Sequence, residues 1–421
     1  MGFDAERYLD GLEKLGWRLG LERMQRLCSL LGMPQHRFAS IHVVGTNGKS
    51  SVARMAAALL EAHGVRCGAY LSPHLFRWSE RVQLGGDEIG AAEFASAVER
   101  SRQAAEVANR SLEDGDAVTQ FEVSTAAAFV ALAAARVQAG VIEAGLGGRL
   151  DATNVIPSRV TVLTSVGLEH TEWLGDTELE IAAEKLAVLR DHSTLVTGRV
   201  GAEVAEIAER TAAEHGARLV RAPEDPGAGM VLAAQGPFQR RNFALAATAV
   251  EAFLGRVDPA AVSEVAAGLV VPGRLQLVDT DPPTFFDAAH NPDGAAALAE
   301  ALPQVCGGRP VVGCVAMLAD KDAASFMREL APALSQVVCT ELPEAAVRTV
   351  GRPGAASAPA GELASVCLDL GLRAEAEPQP LRALGRARRL AAADSGAAIA
   401  TGSHYLLGAL WTKRHAQSSS R

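Results

Sequence analysis

The stretch Ile41–Leu60, IHVVGTNGKSSVARMAAALL, decides the fold. Ile41 to Val44 reads as a short buried strand, Gly45-Thr46-Asn47-Gly48 as a turn, and Lys49-Ser50-Ser51 as the opening of a helix rich in alanine and leucine. A strand that feeds a glycine-rich turn into a helix N-terminus aims backbone N–H groups and a positive dipole end at one point. Lys49 adds a point charge for β- and γ-phosphates, and Ser50 offers a hydroxyl to Mg²⁺. The pattern G-x-x-x-x-G-K-[ST] wants a glycine at position 43, where this chain has Val43; its first glycine comes later, at Gly45. The competing reading is a tight strand-to-helix turn with no ligand. Turn geometry alone gives no reason for a Lys-Ser pair after Gly48, so the stretch reads as a mononucleotide site, for ATP.

Outward from this turn, strands and helices alternate for most of the 421 residues, which implies a parallel sheet with crossover helices. An N-terminal helical region is expected over about residues 4–32, helices over 91–109, 122–138 and 177–190, and strands over 66–71, 141–143 and 161–166. Val271-Pro272-Gly273-Arg274 breaks the pattern. The expected division is therefore an N-terminal ATP-binding domain over 1–272 and a smaller α/β domain over 273–421. Strands of the second domain are expected at 284–287, 311–317, 336–340 and 397–401. The tract GRPGAASAPAG at 351–361 reads as a small-residue loop, and the tail QSSSR as frayed.

Composition narrows the function classes. A net charge of −9 argues against a general nucleic-acid binder while leaving room for a local basic cleft. The six cysteines, at 28, 67, 306, 314, 339 and 367, are scattered without a C-x-x-C pair, which suits reduced thiols better than disulfides or zinc. The first residues, MGFDAERYLDGLEKLGW, are charged and lack the apolar core of a signal peptide. No apolar run reaches the ~18 residues that span a bilayer. The expectation is a cytoplasmic protein without a membrane or nucleic-acid partner.

In open parallel sheets ligands sit beyond the carboxyl ends of the strands. Ser72, Glu143 and His170 each fall at or just past such an end, on the same edge as the Gly45–Ser51 turn. An oxygen-rich set beside a triphosphate suits Mg²⁺, and the histidine also suits Mn²⁺. Each residue has a plainer reading: Glu143 as an ion-pair partner, His170 as a turn histidine, Lys185 as a solvated helix lysine, Arg274 as a surface arginine. Asp287 and His290, in DAAHNP, could reach a nucleotide or an attacking amine, or simply cap the following helix.

Taken together, LGLER (19–23), GTNGKSS, YLSPHL with SERV (79–82), QFE (120–122), EAGLGGRLDATN, TSVGLEHTEWLGDT, Glu184-Lys185, PGR, DAAHNP, DKD (320–322) and TGSHYL resemble the folylpolyglutamate synthase and dihydrofolate synthase family of the Mur-ligase superfamily. The matches run in order over nearly the whole chain. The resemblance implies a P-loop ATPase-like parallel-sheet domain followed by a Rossmann-like glutamate-ligase domain. It implies ATP as cosubstrate, two Mg²⁺ ions, L-glutamate, and a reduced folate or dihydropteroate as acceptor, in a monomer. By the same resemblance Gly45, Thr46, Asn47, Gly48, Lys49, Ser50 and Ser51 hold phosphates, and Ser50, Ser72, Glu143, His170 and Lys185 hold metal, with Lys185 carbamylated. Gln239 and Asn242 lie by the adenine, and Arg274, Asp287 and His290 complete the nucleotide site. Lys49, Lys185, Asp287 and His290 take catalytic roles. Phe238 departs from the family's histidine, Ser50 from its commoner glycine and Ala288 from its commoner glycine. A related amino-acid ligase acting on another acid, and a P-loop ATPase switch, are the alternatives.

Overall fold

In a computed structural model, which describes residues 3–12, 18–113, 115–227, 229–348 and 354–418, the 41–44 stretch is the middle of a mixed sheet. The chain divides into two compact units, Met1–Leu232 with Arg240–Leu269, and Ala233–Gln239 with Val270–Arg421. Residues 233–239, which the sequence reading assigns to the first domain, thus pack with the second unit.

The first unit carries β1 (Ala39–Val44), β2 (Cys67–Tyr70), β3 (Val82–Leu84), β4 (Asp87–Glu88), β5 (Ala139–Glu143), β6 (Ser158–Leu163), β7 (Thr194–Thr197) and β8 (Arg218–Arg221), in the order β4-β3-β2-β5-β1-β6-β7-β8. The strands from β2 to β8 in that order run parallel, with β1 between β5 and β6. Ile41, Val43 and Val44 are fully buried, as expected of a strand covered on both faces. The expected parallel sheet carries an antiparallel edge: β3 is antiparallel to β2, and β4 to β3. These strands are two and three residues long, too short to show any periodicity.

Helix 49–62 follows β1 and buries Val52, Met55, Ala56, Leu59 and Leu60. Helix 120–134 is buried continuously from Glu122 to Leu132 and lies inside the first unit's main core. It packs so closely on β2 that a Cβ on Gly68 would come within 2.3 Å of Leu132 Cδ2 and 2.9 Å of the Gln83 carbonyl oxygen. The expected helix over 122–138 ends at Ala134, because Arg136 turns into the left-handed region (φ 52°) and β5 begins at Ala139. The expected helix over 177–190 spans Glu178–Leu186. The N-terminal helical region comprises Ala5–Gly11 and Glu22–Leu30, with residues 13–17 outside the described ones.

A buried ion pair ties the N-terminal region to helix 120–134. Arg23 Nε donates to both carboxylate oxygens of Glu122 at 3.1 Å. The same carboxylate accepts from Thr119 N at 2.7 Å, while Thr119 Oγ1 accepts from Glu122 N at 3.3 Å, so Glu122 also closes the capping box.

The second unit carries β9 (Gln276–Thr280), β10 (Pro283–Phe286), β11 (Val311–Val315), β12 (Gln336–Cys339), β13 (Ala374–Ala376) and β14 (Ala397–Thr401), ordered β13-β12-β11-β14-β10-β9. All pair in parallel except β9, which is antiparallel to β10. The four expected strands are present. Of the 351–361 tract, residues 351–353 lie outside the described ones, and the rest is tied to the chain after β11: Ala319 N donates to Ala356 O, and Ala358 N to Met317 O, both at 2.9 Å. The last helix spans His404–Ser418, and residues 419–421 of the tail lie outside the described ones. Among the described residues no helix is long and apolar enough to cross a membrane.

Replacing Glu122 by Ala leaves the Arg23 guanidinium buried beside a lost cap. The expected result is a loss of about 3 kcal/mol, read as a lower urea midpoint of the variant, with Glu122→Gln losing less.

Candidate active site

The turn after β1 is held by the chain that leaves β6. Thr46 N donates to Ser165 O, and Asn47 N to Ser165 Oγ, each at 2.9 Å. Thr164 Oγ1 donates to Asn47 O at 2.6 Å, and Gly167 N to Thr46 Oγ1 at 3.1 Å. Gly45 (φ 148°) has no room for a side chain, since a Cβ there would sit 1.9 Å from Thr164 Oγ1. Gly48 (φ 87°) precedes the helix, and its Cβ would meet Asn242 Oδ1 at 2.7 Å. Both glycines are therefore required by conformation and by space. Thr164 and Ser165 escaped the sequence reading, although the TSVG segment containing them is part of the resemblance.

Two lysines converge on this turn. Lys49 Nζ lies 3.0 Å from both Gly45 O and Thr46 O, and Lys185 Nζ donates to the same Gly45 carbonyl at 3.0 Å. Lys185 is 4% exposed, which rules out the solvated-lysine reading. Burial, and then the charge of Lys49, pull the Lys185 ammonium down to about 7, against the opposing pull of Glu169, Asp151 and Glu184.

Among the expected metal ligands, the structure joins Ser50, Ser72 and Glu143 directly. Ser50 Oγ donates to Glu143 Oε1 at 2.8 Å, and Ser72 N to Glu143 Oε2 at 2.9 Å. Ser72 thus meets the cluster through its backbone. Glu143 ends β5 and is almost wholly buried. His170 sits in the left-handed region (φ 55°) at the start of helix Thr171–Leu174, with Nε2 3.9 Å from Glu169 Oε1. No group of three or more His, Cys, Asp or Glu side chains able to hold a metal forms among the described residues. The joined set is instead one hydroxyl and one carboxylate, hard oxygen donors. These fit a cation such as Mg²⁺, which takes few protein ligands and keeps substrate oxygens and waters.

The glycine-rich loop after β5 is shaped by Asp151, which the sequence reading did not single out. Its Oδ2 accepts from Gly145 N at 3.0 Å and Leu146 N at 2.8 Å, and its Oδ1 from Thr153 N at 3.0 Å. His42 Nε2 lies 2.8 Å from Thr153 Oγ1 behind it. Burial, with Arg190 adding to it, lowers His42 to about 3, so this imidazole is neutral. At Gly148 a Cβ would come within 2.7 Å of the Glu184 and Lys185 carbonyl oxygens, so the loop touches the backbone that carries Lys185.

In the second unit, Asp287 follows β10 and is buried. Its Oδ2 accepts from Leu275 N at 2.7 Å and its Oδ1 from Ala289 N at 2.8 Å. Burial pushes this carboxyl up, opposed by Arg274, these two amides and His290. His290 Nδ1 lies 3.0 Å from Ala288 O, and its ring centroid is 5.3 Å from that of His404. Neither Asp287 nor His290 caps the next helix; Asn291 does, accepting from Gly294 N at 2.8 Å. Ala288 is accommodated, with its N–H donating to Gly273 O at 2.9 Å. Phe238, in place of the expected histidine, packs on the second unit's core, and Gln239 is fully buried. The expected site residues thus fall into a first-unit group at the carboxyl ends of β1, β2, β5 and β6, including Asn242 beside Gly48, and a second-unit group of Gln239, Arg274, Asp287 and His290.

Comparison with known proteins places the chain. Residues 273–403 match the family described as Mur ligase, glutamate ligase domain. The dihydrofolate synthase/folylpolyglutamate synthase of Mycobacterium tuberculosis is 36% identical over 358 residues, which cover 76% of this chain and 74% of that one. The structure of the Mycobacterium tuberculosis folylpolyglutamate synthase complexed with ADP superposes with a TM-score of 0.88 at 32% identity, covering 97% of this chain and 98% of that one. A bifunctional folylpolyglutamate synthase/dihydrofolate synthase with Mn, AMPPNP and L-glutamate bound superposes with a TM-score of 0.81 at 29% identity, covering 98% of each chain. With a nucleotide-type turn, an oxygen-donor cluster and this degree of likeness over nearly its whole length, the chain belongs to the folylpolyglutamate synthase/dihydrofolate synthase family of ATP-dependent Mur-type ligases.

Proposed function

We propose that this ligase joins L-glutamate both to reduced folates and to dihydropteroate, as a cytoplasmic monomer, and that the residues named above carry the reaction. The observation that supports this most is the meeting of the 45–51 turn, the Ser50–Glu143–Ser72 cluster and Lys185 at one sheet edge. The names of the relatives support the two acceptors. Six free buried thiols fit a reducing compartment.

The acceptor carboxylate attacks the γ-phosphorus of ATP, giving an acyl phosphate and ADP. The amino group of glutamate then adds to the acyl carbon, and the tetrahedral adduct expels phosphate as the amide forms. Each step crowds anions together, so the need is for fixed positive charge and exclusion of water. The 45–51 backbone N–H groups receive phosphate oxygens at the helix N-terminus. Lys49, now folded onto Gly45 O and Thr46 O, is placed to exchange those carbonyls for phosphate oxygens. Ser50, Ser72, Glu143 and His170 hold divalent metal, which supplies Lewis-acid neutralisation of phosphoryl charge when bound.

Lys185 is assigned the carbamate. A neutral amine adds to carbon dioxide and loses a proton, which converts a buried cation into an anion. An amine lowered to about 7 is substantially neutral at physiological pH, the form this step requires. In the second unit, Arg274 is the cation offered to an anionic substrate and His290 the polar group beside it. Asp287 is assigned a positioning role, because both its oxygens are held by backbone amides of the segments that carry Arg274 and His290.

Three experiments test the reading. ADP release with ATP and Mg²⁺ is expected only when L-glutamate and a pterin acid are both present, with tetrahydrofolate and dihydropteroate each gaining one glutamyl unit by mass. Release indifferent to both would instead identify an ATPase switch. Gly45→Ala is expected to weaken ADP binding about tenfold or more, because the methyl displaces Thr164 and opens the turn; unchanged ADP affinity by calorimetry would remove the turn from the site. Lys185→Ala is expected to lose activity about 100-fold and to regain part of it with excess short carboxylate ions. A fully active Lys185→Ala enzyme would sink the carbamate assignment.

A further inference from the structure

All of the first unit's site residues lie at the carboxyl ends of its strands. Its opposite end holds a cavity of about 440 Å³, where the chain enters β1 and β5. Arg37 comes from the segment before β1, Arg136 from the turn before β5, and Arg100 from helix 91–109, so three separate elements bring arginines, all three exposed, to the lining of one concavity. Its apolar lining includes Leu31, Val130 and Val137.

The charge here is unbalanced. Among the described residues no carboxylate lines the cavity. The side chains of Arg37, Arg100 and Arg136 make no hydrogen bond or ion pair among the described residues. The nearest acidic neighbours in sequence are already engaged: on the helix that carries Arg100, Glu99 binds Arg102 through both oxygens at 2.8 Å, and Glu106 binds it too. In a chain with 49 acidic and 40 basic residues, an acid-free set of three arginines around an apolar hollow runs against the background.

Arg136 adds a second observation. It occupies the left-handed position that ends helix 120–134 (φ 52°), with its N–H donating to Ala133 O at 3.1 Å and the next N–H, that of Val137, to Leu132 O at 3.2 Å. Glycine is the residue that takes this position without strain. Its carbonyl is fixed by Arg66 Nε at 2.7 Å, so the turn that presents the arginine is itself braced.

We propose that this cavity is a second ligand site, for a small organic dianion with a compact apolar body: a phosphate monoester or a dicarboxylate. Guanidinium groups match the oxygens of either head group bidentately. The apolar lining gives the body a surface that inorganic phosphate cannot use. The volume lies within the ~300–1,000 Å³ typical of small-molecule pockets.

The test reads binding rather than turnover, so it stands apart from the ligase assignment. 1-Naphthyl phosphate, 2,6-naphthalenedicarboxylate and inorganic phosphate are titrated calorimetrically into the full-length protein saturated with ADP and Mg²⁺. One further site is expected for at least one naphthyl probe, and the better probe identifies the head group. Inorganic phosphate is expected to bind at least about tenfold more weakly, and Arg136→Gly and Arg100→Gln each to weaken the naphthyl probe about tenfold. Arg136→Gly relieves backbone strain, so its loss of binding is not a loss of fold. Absence of binding to the ADP-saturated protein at millimolar probe overturns the proposal. So does an affinity that is the same in wild type and both variants, or inorganic phosphate binding as tightly as the naphthyl probes.

Discussion

The contact between the turn after β1 and the chain leaving β6 is the constraint on which the rest of the first unit depends. The two strands are neighbours, and beyond their carboxyl ends the Thr164 side chain closes on the turn until only a hydrogen atom fits at Gly45. Thr164 and Ser165 then spend their polar groups on Asn47 and Thr46 rather than on solvent. A turn held this way keeps the N-terminus of helix 49–62 aimed at one point and presents the Gly45 carbonyl to two ammonium groups at once. The depressed affinity of Lys185 for its proton follows from that arrangement. It is buried, and the charge that acts on it most is that of Lys49, of its own sign. Loosening the turn would relax all of these together, which is why a single methyl at Gly45 has consequences beyond its volume.

Much of this was legible in the sequence because it is local. A strand, a glycine turn and a helix N-terminus are contiguous in 41–60, and the helix begins at Lys49 as the pattern requires. Glu143 was legible for the same reason: it ends a buried strand just before a glycine-rich loop. Hidden from that reading were groups whose importance lies in what they reach across the fold. Thr164 looks like the end of a strand until β6 is placed beside β1. Glu122 looks like a helix-start glutamate until Arg23, 99 positions away, is brought to it. The hairpin strands β3 and β4 and the short β13 carry too few residues to display a period, so tertiary pairing alone defines them. The segment 233–239 joins the second unit through packing that no composition shift announces.

Arg136 shows how a boundary error conceals a feature. The run FEVSTAAAFVALAAARVQ continues to favour helix through Gln138, and nothing in it marks a stop of the usual glycine or proline kind. The chain stops nonetheless, because β5 must begin at Ala139 to pair with Ala39 of β1 and Cys67 of β2. Tertiary register overrides local propensity there, and an arginine is left in a conformation it would not choose alone.

Asp151 and Asp287 make the same physical point in the two units. Both are buried carboxylates placed just after or within a loop that follows a strand, and both are occupied by backbone amides: Gly145, Leu146 and Thr153 for the first, Leu275 and Ala289 for the second. Burial raises each carboxyl, while the amides and, for Asp287, Arg274 oppose it. A carboxylate whose two oxygens each accept from fixed N–H donors of different segments is locked in one orientation. It can hold two loop segments at a set distance, at a cost in desolvation that the amides offset. That geometry argues for reading the aspartate of DAAHNP as the brace of its loop, with Arg274 and His290 as the groups it holds in place, just as Asp151 braces the loop against which the backbone of Lys185 rests.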